Sequence, residues 1–248
     1  MVKKIHFFSL FFLVVCANIL LGMEDSVKRR EVVVLYSGGL DSSALAGMYG
    51  AKGYDVVHLV TFCNGAHFNT GYAKIKIREF KERFPRTEFR HSIIPVAYLF
   101  KKLSLVSLEQ DIEDYKTNLV CVGCKMAMHA QAVLYALENG IDFVVDGFVR
   151  RQSHFPEQDL SFIEEIHKLY AKHNIRYENP LYDVVVGKCD VKDILFRYNL
   201  STKSIEGECL FGDTFSTASS EVIRKYVMAK APMLDMYVDG WLKEKTEE

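Results

Sequence analysis

Apolar positions along the chain follow two periods. Short runs rich in β-branched residues recur at 32–35, 54–62, 87–96 and 141–147, the pattern of strands buried inside a sheet. Between them, apolar residues return every three to four positions. That spacing predicts helices over 40–48, 70–83, 96–108, from Cys124 to 139, over 160–173 and over 191–198. Strands alternating with helices predict an α/β fold, a doubly wound parallel sheet. The remainder, 216–243, reads as two helices split at Pro232, a C-terminal helical extension. The predicted organisation is a hydrophobic segment 1–22, an α/β domain 23–215 and the extension 216–248, with no internal repeat.

The junction of the first strand and first helix reads Ser37-Gly38-Gly39-Leu40-Asp41-Ser42-Ser43. Paired glycines permit a tight turn with inward-pointing N–H groups, and a hydroxyl-rich helix start adds donors, so the stretch predicts a phosphate cradle. It is not the common nucleotidase loop, because no Gly-Lys-Ser/Thr follows the glycines. The motif resembles the PP-loop of the ATP pyrophosphatase superfamily. The resemblance implies binding of ATP with Mg²⁺, cleavage between the α- and β-phosphates and adenylylation of a carbonyl oxygen. Ser37 to Ser43 would hold the phosphates, and Asp41 would position the Mg²⁺. Thr61 and Phe62, at the carboxyl end of the second strand, are expected beside adenine.

Composition narrows partners only slightly. The net charge of -1 over 248 residues advertises neither nucleic acid nor membrane, so any RNA contact must be a local basic patch. Lys74, Lys76, Arg78, Lys81 and Arg83 on the helix over 70–83 read as a solvated face, and His58, mid-strand, reads as a packed core residue. Six cysteines without disulfide-scaffold spacing favour a reducing compartment. Cys121 and Cys124 form a Cys-x-x-Cys pair at a helix start, where the helix N-terminus and Lys125 should favour thiolate. Such a pair is half a zinc site, a redox pair, two iron–sulfur ligands or two buried structural cysteines.

Asp146-Gly147-Phe148 ends the fourth strand where sulfur-transferring PP-loop enzymes carry Thr-Gly-Glu or Thr-Gly-His over the phosphates. Here Asp stands for Thr and Phe for the third residue, so Gly147 carries over, while Arg150 or Arg151 could supply phosphate charge instead. Glu178-Asn179-Pro180-Leu181 followed by a helix and Cys209 is similar to tRNA 4-thiouridine synthases. Cys121, Cys124 and Cys209 match the spacing that holds a 4Fe-4S cluster in tRNA 2-thiolation enzymes. Cys121 and Cys209 are the implied sulfur-handling residues, with Cys189 as a spare ligand and Cys16 and Cys63 outside the site. The resemblance implies sulfur delivery to tRNA or a small heterocyclic substrate, with a sulfur donor protein or sulfide and a homodimer as further partners. The competing readings are a nitrogen-transferring ligase with Zn²⁺ on the cysteines and a non-catalytic nucleotide-binding protein. Lys3 and Lys4 followed by apolar residues 5–22 resemble a signal or a membrane anchor. An ATP-consuming enzyme points to the cytoplasm, with translation from Met23 or an anchor facing that side.

Overall fold

A computed structural model describes residues 29–211 and 216–247. The hydrophobic segment over 1–22, with its signal or anchor reading, lies outside them. Five strands form one parallel sheet in the order β3-β2-β1-β4-β5. They are β1 (Glu31–Leu35), β2 (Val56–Cys63), β3 (Glu88–Pro95), β4 (Phe143–Val145) and β5 (Arg176–Glu178). β1 lies at the centre, with Val34 opposite Leu59 of β2 and Val145 of β4.

The continuous apolar run of β1 has a direct cause. Successive side chains point to opposite faces, and both faces are covered. Val32 and Val34 enter one core layer, with helices α1 (Leu40–Ala51), α2 (Ile77–Arg83) and, later in the chain, α7 (Lys188–Arg197). Val33 and Leu35 enter the other. That second layer holds α3 (Ala97–Phe100), α5 (Val120–Glu138), α6 (Leu160–Lys172) and α8 (Ser220–Glu247), while α4 (Leu108–Tyr115) packs at its edge through Leu108 and Tyr115. His58 is buried in β2 and bonded to Tyr135 Oη at 2.9 Å and Glu31 Oε2 at 2.8 Å, which accounts for a histidine inside the sheet. α5 is the only described helix long and apolar enough to cross a bilayer, and 67% of its apolar window is buried inside this fold.

Four expectations change. Residues 70–83 are a 3₁₀ segment, Thr70–Lys76, followed by α2. Residues 96–108 become α3, a π-helical turn Lys101–Leu105 and then α4, which the sequence pattern did not separate. β5 is three residues long, too short to display a period. The C-terminal region from Ser220 is one helix that runs through Pro232. Proline removes one N–H and crowds the preceding turn. Here Tyr226, Val227, Leu234 and Val238 are buried on both sides of it, and Lys230–Asp111 and Lys172–Asp235 ion pairs at 2.7 Å clamp the flanks. α8 is therefore a wall of the second core layer.

Candidate active site

After β1 the chain turns to α1 on one face, and after β4 it reaches α6 on the other. Neighbouring strands whose connections diverge leave a crevice at their carboxyl ends, the place where open α/β sheets bind ligands. A cleft of about 240 Å³ opens there. Ser37, Gly39, Leu40, Asp41, Ser42, Thr61, Phe62 and Gly147 line it, as expected from the sequence. His67, Gln152, Gln158 and Glu206 line it too, with no role expected of them, as does Lys125, expected only as a neighbour of the Cys-x-x-Cys pair.

The floor is the glycine turn. Gly38 has φ +85°, a conformation open chiefly to glycine. Ser42 Oγ accepts from Ser37 N–H at 3.3 Å and donates to Gly39 O at 3.3 Å, and Ser37 Oγ accepts from Gly39 N–H at 3.2 Å. These bonds fix the turn so that the first N–H groups of α1, which have no partner within a helix, face the cleft. On the opposite side, a Cβ on Gly147 would stand 3.2 Å from the Asp41 carbonyl carbon and the Ser42 nitrogen. Glycine there lets the β4 edge press against the start of α1.

Charge around the turn is arranged differently from the sequence reading. Arg150 is exposed and pairs with Asp183, outside the cleft lining, because it sits on the outer side of a short 3₁₀ turn. Arg151 takes the inner side, and its Nη2 bonds both Asp41 oxygens at 3.0 and 3.1 Å. Burial raises the Asp41 carboxyl pKa, Arg151 draws it down and Glu206 pushes it up. Lys76 is also corrected: it is buried, not solvated, since the 3₁₀ segment rotates it inward. Its Nζ donates to Ser43 Oγ and Ser201 O, each at 3.3 Å, and burial lowers its pKa. Ser43 is consequently enclosed behind the turn and not at the cleft surface.

A strap covers one end of the turn. Ile205 N–H donates to Gly38 O at 3.2 Å, and a Cβ on Gly39 would stand 2.6 Å from Glu206 Oε2. Beyond it, residues 208–210 pair with 66–68: Phe68 N–H donates to Glu208 O at 2.7 Å and Leu210 N–H to Ala66 O at 2.8 Å, bridging His67 and Cys209. Asn64 braces this loop, accepting from the N–H groups of Ala66 and His67 at 2.9 and 3.0 Å. Its Nδ2 donates to Cys124 Sγ at 3.2 Å.

Cys209 comes close enough to Cys124 to raise its pKa. Among the described residues no group of three or more His, Cys, Asp or Glu side chains is placed to hold a metal ion. Cys124 lies inside the second turn of α5, and burial pushes its thiol up to about 11, outweighing the expected thiolate-favouring effects. Cys209 is half-buried on the strap, Cys63 is half-buried and Cys189 is exposed. No disulfide joins the described cysteines.

A five-stranded parallel sheet with a Ser-Gly-Gly-Leu-Asp-Ser-Ser turn flooring its switch-point cleft defines a PP-loop enzyme. A family model described as "ThiI: Thiamine biosynthesis protein (ThiI)" matches residues 27–176, and the chain belongs to that family. No curated protein matches the chain. Similar solved structures include the following two. The U34-tRNA thiolase NcsA from Methanococcus maripaludis, determined with its 4Fe-4S cluster, is 14% identical with a TM-score of 0.47, over 89% of this chain and 73% of that one. NMN synthetase from Francisella tularensis is 14% identical with a TM-score of 0.42, over 74% and 68%.

Proposed function

We propose that this protein splits ATP between the α- and β-phosphates, adenylylates a carbonyl oxygen of a nucleobase or small heterocycle, and then delivers sulfur to the activated carbon, with tRNA as the acceptor. The observation that carries the reading is the closure of the Gly147 edge and Arg151 onto the start of α1, beside the glycine turn. Helix-start N–H groups, Arg151 beside Asp41 and, behind the turn, Lys76 next to Ser43 support reading the glycine turn as an anion site. Charge developing on departing pyrophosphate meets fixed donors there. ThiI family membership supports the same chemistry.

Asp41 and Glu206 offer the carboxylate oxygens that Mg²⁺ prefers, and Mg²⁺ bound with ATP would neutralise phosphate charge. The thiols do not fit a 4Fe-4S cluster or zinc in this arrangement. Sulfur is therefore assigned to Cys209, whose strap lies against the rim of the cleft. A sulfur donor protein passes the outer sulfur of its own persulfide to the Cys209 thiolate, which becomes a persulfide as the donor's thiolate leaves. Its terminal sulfur attacks the adenylylated carbon and the C–O bond to AMP breaks; a thiol from solution then attacks Cys209 Sγ, which frees the thiocarbonyl product and leaves a mixed disulfide on Cys209 that a further thiol reduces. The test is incubation with unmodified tRNA, ATP and a persulfide donor, followed by nucleoside mass spectrometry. A new thionucleoside that depends on ATP and disappears in Cys209→Ala is expected. Pyrophosphate release without sulfur incorporation would instead indicate a ligase.

A further inference from the structure

Residues 66–68 and 208–210 run antiparallel as a short two-stranded ribbon at the rim of the cleft. Its hydrogen bonds, from Phe68 N–H to Glu208 O and from Leu210 N–H to Ala66 O, bracket His67 and Cys209. The two residues are therefore directly opposite each other as a non-hydrogen-bonded pair. Such pairs are the close ones, with Cα atoms about 4.5 Å apart and side chains on the same face. Alternation sorts the neighbours: Phe68, Glu208 and Leu210 are exposed, while His67 and Cys209 are half-buried on the other face.

His67 is the one histidine among the described residues that lines the cleft. His58 and His129 are held in the core, each bonded to a tyrosine hydroxyl. Asn64 fixes the His67 backbone from behind at 3.0 Å and reaches Cys124 Sγ at 3.2 Å. Glu206 and Lys125 are the charged groups that act on the His67 ring, with opposite signs. Burial outweighs both and holds its pKa below 6.5, so the ring is the free base at neutral pH. A thiol reacts as its thiolate, and a neutral imidazole beside it is a suitable proton acceptor. On the ribbon no other side chain offers one to Cys209, since Glu208 lies on the opposite face.

We infer that His67 is the base that takes the proton from the Cys209 thiol and so makes the thiolate that accepts sulfur from the donor. This rests on the sulfur-delivery reading above. The Cys209 S–H bond breaks, its electron pair stays on sulfur, and its proton passes to the free ring nitrogen of His67. The thiolate attacks the outer sulfur of the donor's persulfide, a new S–S bond forms, and the donor's own S–S bond breaks. The departing donor thiolate takes the proton from the His67 imidazolium, which returns the ring to its neutral form.

The experiment follows alkylation of Cys209 by iodoacetamide in the full protein, read by peptide mass spectrometry relative to the exposed Cys189. It needs neither ATP nor tRNA. In the unaltered protein the rate at Cys209 should rise as His67 loses its proton, below pH 6.5, and level off by pH 7. His67→Gln should remove that inflection and slow the reaction at pH 7 by about tenfold or more. Imidazole in the buffer should restore most of the rate in His67→Ala. An unaltered protein without the inflection overturns the inference and needs no variant. A rate at Cys209 indifferent to His67 also overturns it. So does a loss in His67→Ala that imidazole leaves unrestored, which would make the ring a brace for the ribbon. Thionucleoside formation is followed in parallel. Alkylation that depends on His67 without any thionucleoside leaves the His67–Cys209 pairing standing and sinks the sulfur-delivery reading. Thionucleoside formation with alkylation indifferent to His67 does the reverse.

Discussion

Arg151 Nη2 grips both carboxylate oxygens of Asp41, at 3.0 and 3.1 Å, and so ties the loop after β4 to the helix that follows β1. Both side chains are largely buried beside the glycine turn. One guanidinium nitrogen makes both bonds, so the pair is held by a single charged donor set between the two oxygens.

Asp41→Asn and Ser37→Ala should abolish ATP cleavage while the fold survives, because both residues line the cleft and not the apolar core. Arg151→Ala should lower pyrophosphate release by about 10²–10³-fold, as loss of a preorganised charge partner does, and Arg151→Lys should recover part of it, since a single nitrogen makes both bonds to Asp41. Circular dichroism with a pyrophosphate assay separates the two effects. Full turnover by the Asp41 and Ser37 variants would remove the phosphate-turn assignment.

Lys76→Met should weaken ATP binding by about tenfold, since the ammonium lies behind the turn in a poorly screened place. Thermal stability should hold or rise, because an apolar side chain replaces a buried charge. Unchanged affinity by calorimetry would reduce Lys76 to a brace for Ser201.

Lys230 and Asp111 join α8 to α4 at 2.7 Å, both largely buried. Lys230→Met should cost about 3 kcal/mol in denaturant unfolding by stranding the carboxylate. Adding Asp111→Leu should recover most of that loss. Additive losses would contradict a coupled pair.

His129 stays neutral in the fold because burial lowers its pKa well below the ordinary 6.5. Its contribution to stability is present above pH 6.5 and is lost as pH falls, by about 1.4 kcal/mol per pH unit for one proton taken up on unfolding. His58, His67, His91, His167 and His173 are lowered too and act in the same direction. Asp146 has the opposite sign: its raised pKa gives stability below 3.8 that is lost as pH rises through the folded value. Unfolding curves at pH 7.5, 6.0 and 5.0 should therefore show a shallower acid loss, by about one proton, in His129→Gln. An identical slope would contradict a neutral buried His129.

The central strand and its turn were legible in the sequence because their signals are local. β1 is apolar from Val32 to Leu35 since both faces are covered there, and Gly38 is needed for its positive φ. What was not legible depends on distant packing. Lys76 looked solvated until a 3₁₀ turn rotated it against Ser43. Arg150 and Arg151 are adjacent and identical in type, and only the turn's handedness decides which one meets Asp41. Pro232 reads as a break, yet buried neighbours on each side carry the helix through. His67 and Glu206 reach the cleft by pairing between two loops, which no periodicity encodes.

The central claim is cleavage at the α-phosphate. ATP labelled in the adenine is incubated with the protein, Mg²⁺ and uridine-containing tRNA, and the products are separated. Equal amounts of AMP and pyrophosphate, dependent on the tRNA and lost in Asp41→Asn, are predicted. ADP and inorganic phosphate, or AMP formation that persists in Asp41→Asn, would contradict it.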